Sequence, residues 1–203
     1  MNLKDKNSEK DTYYQASDSE MSTTFAHDLF RMLPAYKPVV VLCIGTDRST
    51  GDAFGPLIGS MLSDQTLNSL QVYGTLEQPL HALNLEETMA ELHQHGRRPF
   101  IVAIDASLGK AQSIGKIALG KGPLSPGAAL KKELPEVGNL HISGIVNVSG
   151  FMEYFVLQNT RLHTVFQMAA GTAAALKQTD TLLTNKKAAA ASLYETSAAK
   201  TKS

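Results

Sequence analysis

Pro38-Val39-Val40-Val41-Leu42-Cys43-Ile44-Gly45 decides the fold: an apolar, largely β-branched run that closes on a glycine. A strand apolar on both faces belongs inside a parallel sheet that helices cover on both sides. A polar, glycine-bearing loop from Thr46 to Asp52 follows. Beyond it Phe54, Leu57, Ile58, Met61 and Leu62 recur at helical spacing, which predicts an amphipathic helix. Outward from this unit the alternation continues. Gln71–Thr75 reads as a second strand, and a helix starts at Asn84, with Glu87 completing a variant capping box and Gly96 closing it. Phe100–Asp105 is a third strand, Ile114–Leu119 a fourth and Leu140–Val148 a fifth. Helices follow over 150–158 and 160–178. This order predicts an α/β protein with a central, largely parallel sheet.

The flanks read differently. Residues 1–21 are rich in Lys, Asp, Ser and Glu and predict a mobile arm. Ser22 is a candidate N-cap for a short helix that ends before Pro34. After Thr179 the chain becomes rich in Lys, Ala and Thr, which predicts a frayed helix or a free tail. The expected organisation is therefore an arm over 1–21, a single α/β domain over 22–178 and a flexible tail over 179–203.

Composition narrows the functional classes. The chain has 203 residues, of which 43% are apolar, and Lys+Arg and Asp+Glu both total 19. Zero formal net charge without a basic stripe argues against nucleic acid as a partner. The longest apolar runs fall far below the roughly 20 residues that span a bilayer, so no membrane association is expected. The polar opening residues and the single cysteine, Cys43, predict a cytoplasmic, reducing setting.

The segment Gly45-Thr-Asp-Arg-Ser-Thr-Gly-Asp-Ala-Phe-Gly-Pro56 lies where ligands bind in open α/β folds, at the carboxyl rim of the sheet. It is not a phosphate loop: five residues separate Gly45 from Gly51, and Asp52 stands where that motif needs lysine. The loop offers acids. Asp105 ends the third strand as the Asp52 loop follows the first, so both carboxyls are expected on one rim if those strands are parallel neighbours. Paired carboxyls there share a proton, and such a pair activates water without a metal or cofactor.

Blander readings stand beside this one. Asp52 can be a helix N-cap and Asp105 a turn former. Asp47 can bond nearby amides, Arg48 can anchor a substrate carboxylate or lie solvated, and His141 can be a third site member or an ordinary rim histidine. His81, His93 and His95 lack metal-binding spacing. Cys43 reads as a small core residue, and Ser149 lacks a base partner.

Four blocks carry a resemblance: Cys43–Gly59, Gly74-Thr75, Ala103–Ala106 and Gly144–Thr160. Together they resemble the sporulation protein YyaC family of spore-forming Firmicutes over about residues 38–175. That family in turn resembles the spore germination protease and, more distantly, the hydrogenase maturation proteases. The resemblance implies a three-layer α/β/α sandwich of the phosphorylase/hydrolase-like type. Asp52-Ala-Phe-Gly-Pro56 is similar to the Asp-Ala-Leu-Gly-Pro motif of the germination protease. The resemblance therefore implies that Asp52 and Asp105 are catalytic; Asp47, Arg48 and His141 are the residues expected to bind substrate. It implies a peptidase-like hydrolase in the forespore or mother-cell cytoplasm, acting on a peptide or protein such as small acid-soluble spore proteins. The alternative is a non-catalytic binding or scaffold protein that keeps the protease fold.

Overall fold

The computed structural model describes residues 11–94, 98–126 and 136–200, without the side chains of residues 94 and 193–200. Among these residues six strands form one sheet: β1 (Thr12–Gln15), β2 (Val39–Cys43), β3 (Leu70–Tyr73), β4 (Phe100–Gly109), β5 (Lys116–Lys121) and β6 (Leu140–Val148). Five α-helices accompany them: α1 (Met21–Met32), α2 (Phe54–Ser63), α3 (Leu85–Gln94), α4 (Glu153–Gln158) and α5 (Leu162–Lys200). The strand order is β1-β5-β6-β4-β2-β3. Strands β3, β2, β4 and β6 run parallel, whereas β5 is antiparallel to both β6 and β1.

The decisive strand behaves as its sequence demands. All five residues of β2 are buried. Val39, Val41 and Cys43 enter a core shared with α1, α2 and α5, while Val40, Leu42 and Ile44 enter a second core with Leu85 of α3. The sheet is thus covered on both faces, giving three layers. Each fully buried Val or Leu contributes about 1.5–3 kcal/mol relative to exposure. Helix α2 lies very close to the sheet: a Cβ at Gly59 would collide with the carbonyl oxygen of Gly74.

Several expectations need correction at the flanks. The arm assigned to 1–21 contains a strand and the start of a helix. Tyr14 is buried, packs its ring 4.8 Å from that of Phe25 and donates its hydroxyl to Asp28 Oδ2 at 2.8 Å. Ser22 is not a cap; Glu20 occupies that position, and Asp18 Oδ1 accepts the Glu20 amide. The tail assigned to 179–203 continues α5 as far as Lys200. The Asn84 carboxamide oxygen accepts from the His81 amide in the preceding turn, and Gly96 lies outside the described residues. Residues 1–10, 127–135 and 201–203 of the expected arm, loop and tail also lie outside them.

Asp180 explains why α5 continues. Its carboxylate is buried and accepts the backbone amides of Asn68, Ser69 and Leu70, with Oδ1 at 3.2, 2.7 and 2.9 Å. The helix is thereby fastened to the first residue of β3, whose buried Leu70 amide accordingly finds its acceptor in Asp180. Asp180→Ala is expected to cost about 1–3 kcal/mol, because it orphans the buried Leu70 amide and removes two part-buried bonds beside it. Urea unfolding measures this, and a loss below about 0.5 kcal/mol, the level of an ordinary surface substitution, would show that the cradle is dispensable.

Candidate functional site

The chain leaves β2, crosses one face through α2 to β3, then returns through α3 on the other face to β4, on the opposite side of β2. The strand order therefore reverses between β2 and β4. A crevice opens at such a point outside the carboxyl ends of the strands. A cavity of about 820 Å³ occupies this position. Its walls come from the loop after β2, the 76–83 segment, the outer part of β4 and Leu124–Pro126, with Ser143 and Glu153 completing it.

Backbone contacts fix the loop after β2. Gly45 has φ of +146°, and a Cβ there would collide with the carbonyl oxygen of Asp52. The Thr46 amide donates to that same oxygen at 3.2 Å, and the Ala53 amide donates to Ser49 O at 3.0 Å. The loop is also tied outward, since the Gly51 amide donates to Leu157 O of α4 at 2.9 Å. On the other wall the Gly45 amide donates to Leu80 O at 2.8 Å, which secures the 76–83 segment. Asp52, Asp47 and Arg48 all reach the cavity from this loop.

Asp52 is not an N-cap. Ala53 holds the cap position of α2, with no side-chain cap bond. Burial raises the Asp52 carboxyl above the ordinary carboxylate range, and nearby Ser49 partly offsets this. Ser49 Oγ is itself buried and meets no partner at full hydrogen-bond geometry, so its effect on Asp52 is a weak one.

Asp105 does not end its strand, because β4 runs on to Gly109. Pairing with β2 stops at Cys43↔Ile104, whereas pairing with β6 continues through Asp105↔Ser143. Asp105 thus stands at the first position where β4 loses its β2 neighbour, which opens that side to the cavity. Its Oδ1 accepts the Ala106 amide at 2.8 Å. The turn-former reading gives way to a carboxyl within a strand, at a step in the sheet.

His141 is not brought to this site. It shares a face of β6 with Ser143, but its Nδ1 lies 3.2 Å from Gly122 O and its Nε2 3.3 Å from Asp11 Oδ1. It ties β6 to the segment after β5 and to the residue before β1. The histidine of the cavity is His81. The Leu83 amide donates to its Nδ1 at 3.3 Å, which leaves the ring proton on Nε2 when the ring is neutral. Spacing could not find His81, because a loop rather than a periodic element carries it. Ser149 donates to Gly109 O at 3.3 Å and has a structural role. Cys43 is fully buried, and burial pushes its thiol up, as expected for a core residue. Among the described residues no group of three or more His, Cys, Asp and Glu side chains could hold a metal ion.

These features define a mixed α/β protein with an acid-lined cavity at the switch point of its sheet. A family model described as "Protein of unknown function (DUF1256)" matches residues 13–175, and the chain belongs to that family. It is 56% identical over 146 residues to the "Uncharacterized protein YyaC" of Bacillus subtilis (strain 168), covering 72% of this chain and 71% of that protein. Among solved structures it is similar to the [NiFe] hydrogenase maturation protease HycI from Thermococcus kodakarensis KOD1. The TM-score is 0.47 at 15% identity, over 74% of this chain and 99% of that one. For HybD from Thermococcus kodakarensis the TM-score is 0.40 at 15% identity, over 68% and 97%. No helix among the described residues is long and apolar enough to cross a membrane.

The raised Asp52 carboxyl makes a stability prediction. The folded chain holds the Asp52 proton to higher pH than the unfolded chain does. Its contribution to stability is thus fullest below the unfolded value of about 3.9 and falls as pH rises through the folded one. Asp52→Asn removes the cost of a buried charge. The variant is expected to melt above wild type at pH 8, with the gap closing toward pH 4. Thermal unfolding across that range checks it, and a variant less stable by the same margin at every pH would contradict it.

Proposed function

We propose that the chain is a peptidase-like hydrolase of sporulating cells that activates water with Asp52 and Asp105. The observation that carries this reading is their shared cavity: two carboxyls, 53 positions apart in sequence, line one crevice at the carboxyl rim of β2 and β4. The sporulation setting, and small acid-soluble spore proteins as substrates, rest on the sequence resemblance carried by Cys43–Gly59, Ala103–Ala106 and Gly144–Thr160. The likeness of Asp52–Pro56 to the germination protease motif supports the catalytic role of Asp52 in the same way.

The environments divide the labour. Burial disfavours charge on Asp52, which suits it to be the member of the pair that hydrogen-bonds the substrate carbonyl oxygen. Asp105, whose Oδ1 accepts the Ala106 amide, is assigned the part of the base. Asp105 takes a proton from water as the water oxygen bonds to the carbonyl carbon. When the carbon–nitrogen bond breaks, that proton passes to the leaving amine. Arg48 at the cavity edge offers a fixed cation to a carboxylate of the substrate, and Asp47 an acceptor.

A non-catalytic binding protein on the same fold is the second reading. It is favoured by the large apolar side chains that α4 leaves exposed next to the cavity. Incubation with small acid-soluble spore proteins and peptide libraries separates the two. Cleavage by wild type, reduced about 100-fold or more in both Asp52→Asn and Asp105→Asn, is the expected result. No cleavage by wild type, with binding retained, would leave the binding protein.

A further inference from the structure

Charge around the cavity is strongly one-sided. Asp47, Asp52, Glu77, Asp105 and Glu153 line it, against Arg48 as the fixed cation among the described lining residues. Carboxylates gathered in a walled crevice focus a negative potential, which favours cations and repels acidic segments. The remaining walls include Leu76, Leu83, Leu108 and Leu124, so the crevice is apolar between its charges.

A second feature adjoins it. Glu153 opens α4, and around it Phe151 is 97% exposed, Met152 62%, Tyr154 51% and Phe155 53%. Met152 holds a left-handed backbone with φ of 57° and ψ of 45°, a conformation rarely adopted by residues that carry a side chain. The shelf is nonetheless held firmly. Asn147 Nδ2 donates to Val156 O at 3.3 Å and to Thr160 Oγ1 at 3.2 Å, and Leu157 O accepts the Gly51 amide. Aromatic side chains grouped on one exposed element and continuous with a cavity are unusual on a surface that faces water alone.

We propose that the ligand of this site is a polypeptide segment in which a Lys or Arg side chain enters the acidic cavity while neighbouring apolar residues lie on the α4 shelf. The proposal rests on the hydrolase site described above but deepens it by naming the ligand's chemistry. A small polyamine would satisfy the carboxylates and leave the aromatic shelf unused; a polypeptide uses both. An acidic segment would meet like charge at the cavity.

Fluorescence anisotropy tests this with three labelled peptides of one length: Lys/Arg with Leu/Phe, Asp/Glu with Leu/Phe, and Lys/Arg with Ser/Gly. The first is expected to bind wild type about tenfold or more tighter than either of the others at low ionic strength, and to weaken as salt rises. Glu77→Lys, at an exposed position, should weaken it several-fold, as should the double variant Phe151→Ser/Phe155→Ser. Circular dichroism confirms that both variants fold. Equal or tighter binding of the acidic peptide overturns the proposal. So does displacement by spermidine together with unaltered affinity in the shelf variant. Binding is read without cleavage, so a chain that binds as expected but hydrolyses nothing would sink the hydrolase reading alone.

Discussion

The site depends on the contact of two backbone segments, Gly45 against the carbonyl of Asp52. The loop after β2 folds back on its own start, and only a residue without Cβ permits that approach. The contact turns the chain sharply enough for α2 to begin over the sheet rather than beyond it. It also brings Asp52 to the same rim as Asp105, which the sheet supplies by another route. A side chain at Gly45 would part the two walls, since its amide also holds Leu80 and with it the 76–83 segment. Chain entry, helix seating and site geometry therefore share one constraint.

Much of the fold was legible because the core strands carry their burial in their sequence. Val39–Ile44 and Phe100–Ile104 are apolar on both faces, and only a strand covered on both sides can bury them. The Leu140–Val148 strand has the bounds that its sequence predicts. The misses have equally physical causes. Strand β1 buries Tyr14 alone of its four residues, so its burial pattern has no periodicity to read. The end of α5 is rich in Lys, Ala and Thr, and what keeps Thr179, Asp180 and Leu183 in the fold is contact with distant elements. Asp180 looks like a solvated tail residue until the amides of residues 68–70 are placed against it.

The candidate site was legible in half. A glycine-rich acidic loop at a strand end, and a second aspartate on a neighbouring strand, are local signals, and Asp47, Arg48, Asp52 and Asp105 do line one cavity. His141 misled because its place on β6 is close to the site in register: it pairs beside Ala103, two residues before Asp105. The register fixed the face, but the ring follows its partners at Gly122 and Asp11. His81, Glu77 and Glu153 enter through loops and a helix start, whose positions follow from tertiary bonds and not from spacing.

Asymmetry between the two aspartates is what gives the pair chemical meaning. Two identical carboxyls at one rim would merely repel one another. Here Asp52 follows a turn at the start of a helix, where burial disfavours its charge, while Asp105 stands at a step in the sheet; both are half-buried and line one crevice. The same topology that separates strands β2 and β4 in direction of crossover brings their acids to one crevice from two different elements. Burial disfavours charge on Asp52 before any ligand arrives, and further acids line the same walls. The crevice and the gathering of acids along it are in this way two consequences of one reversal in strand order.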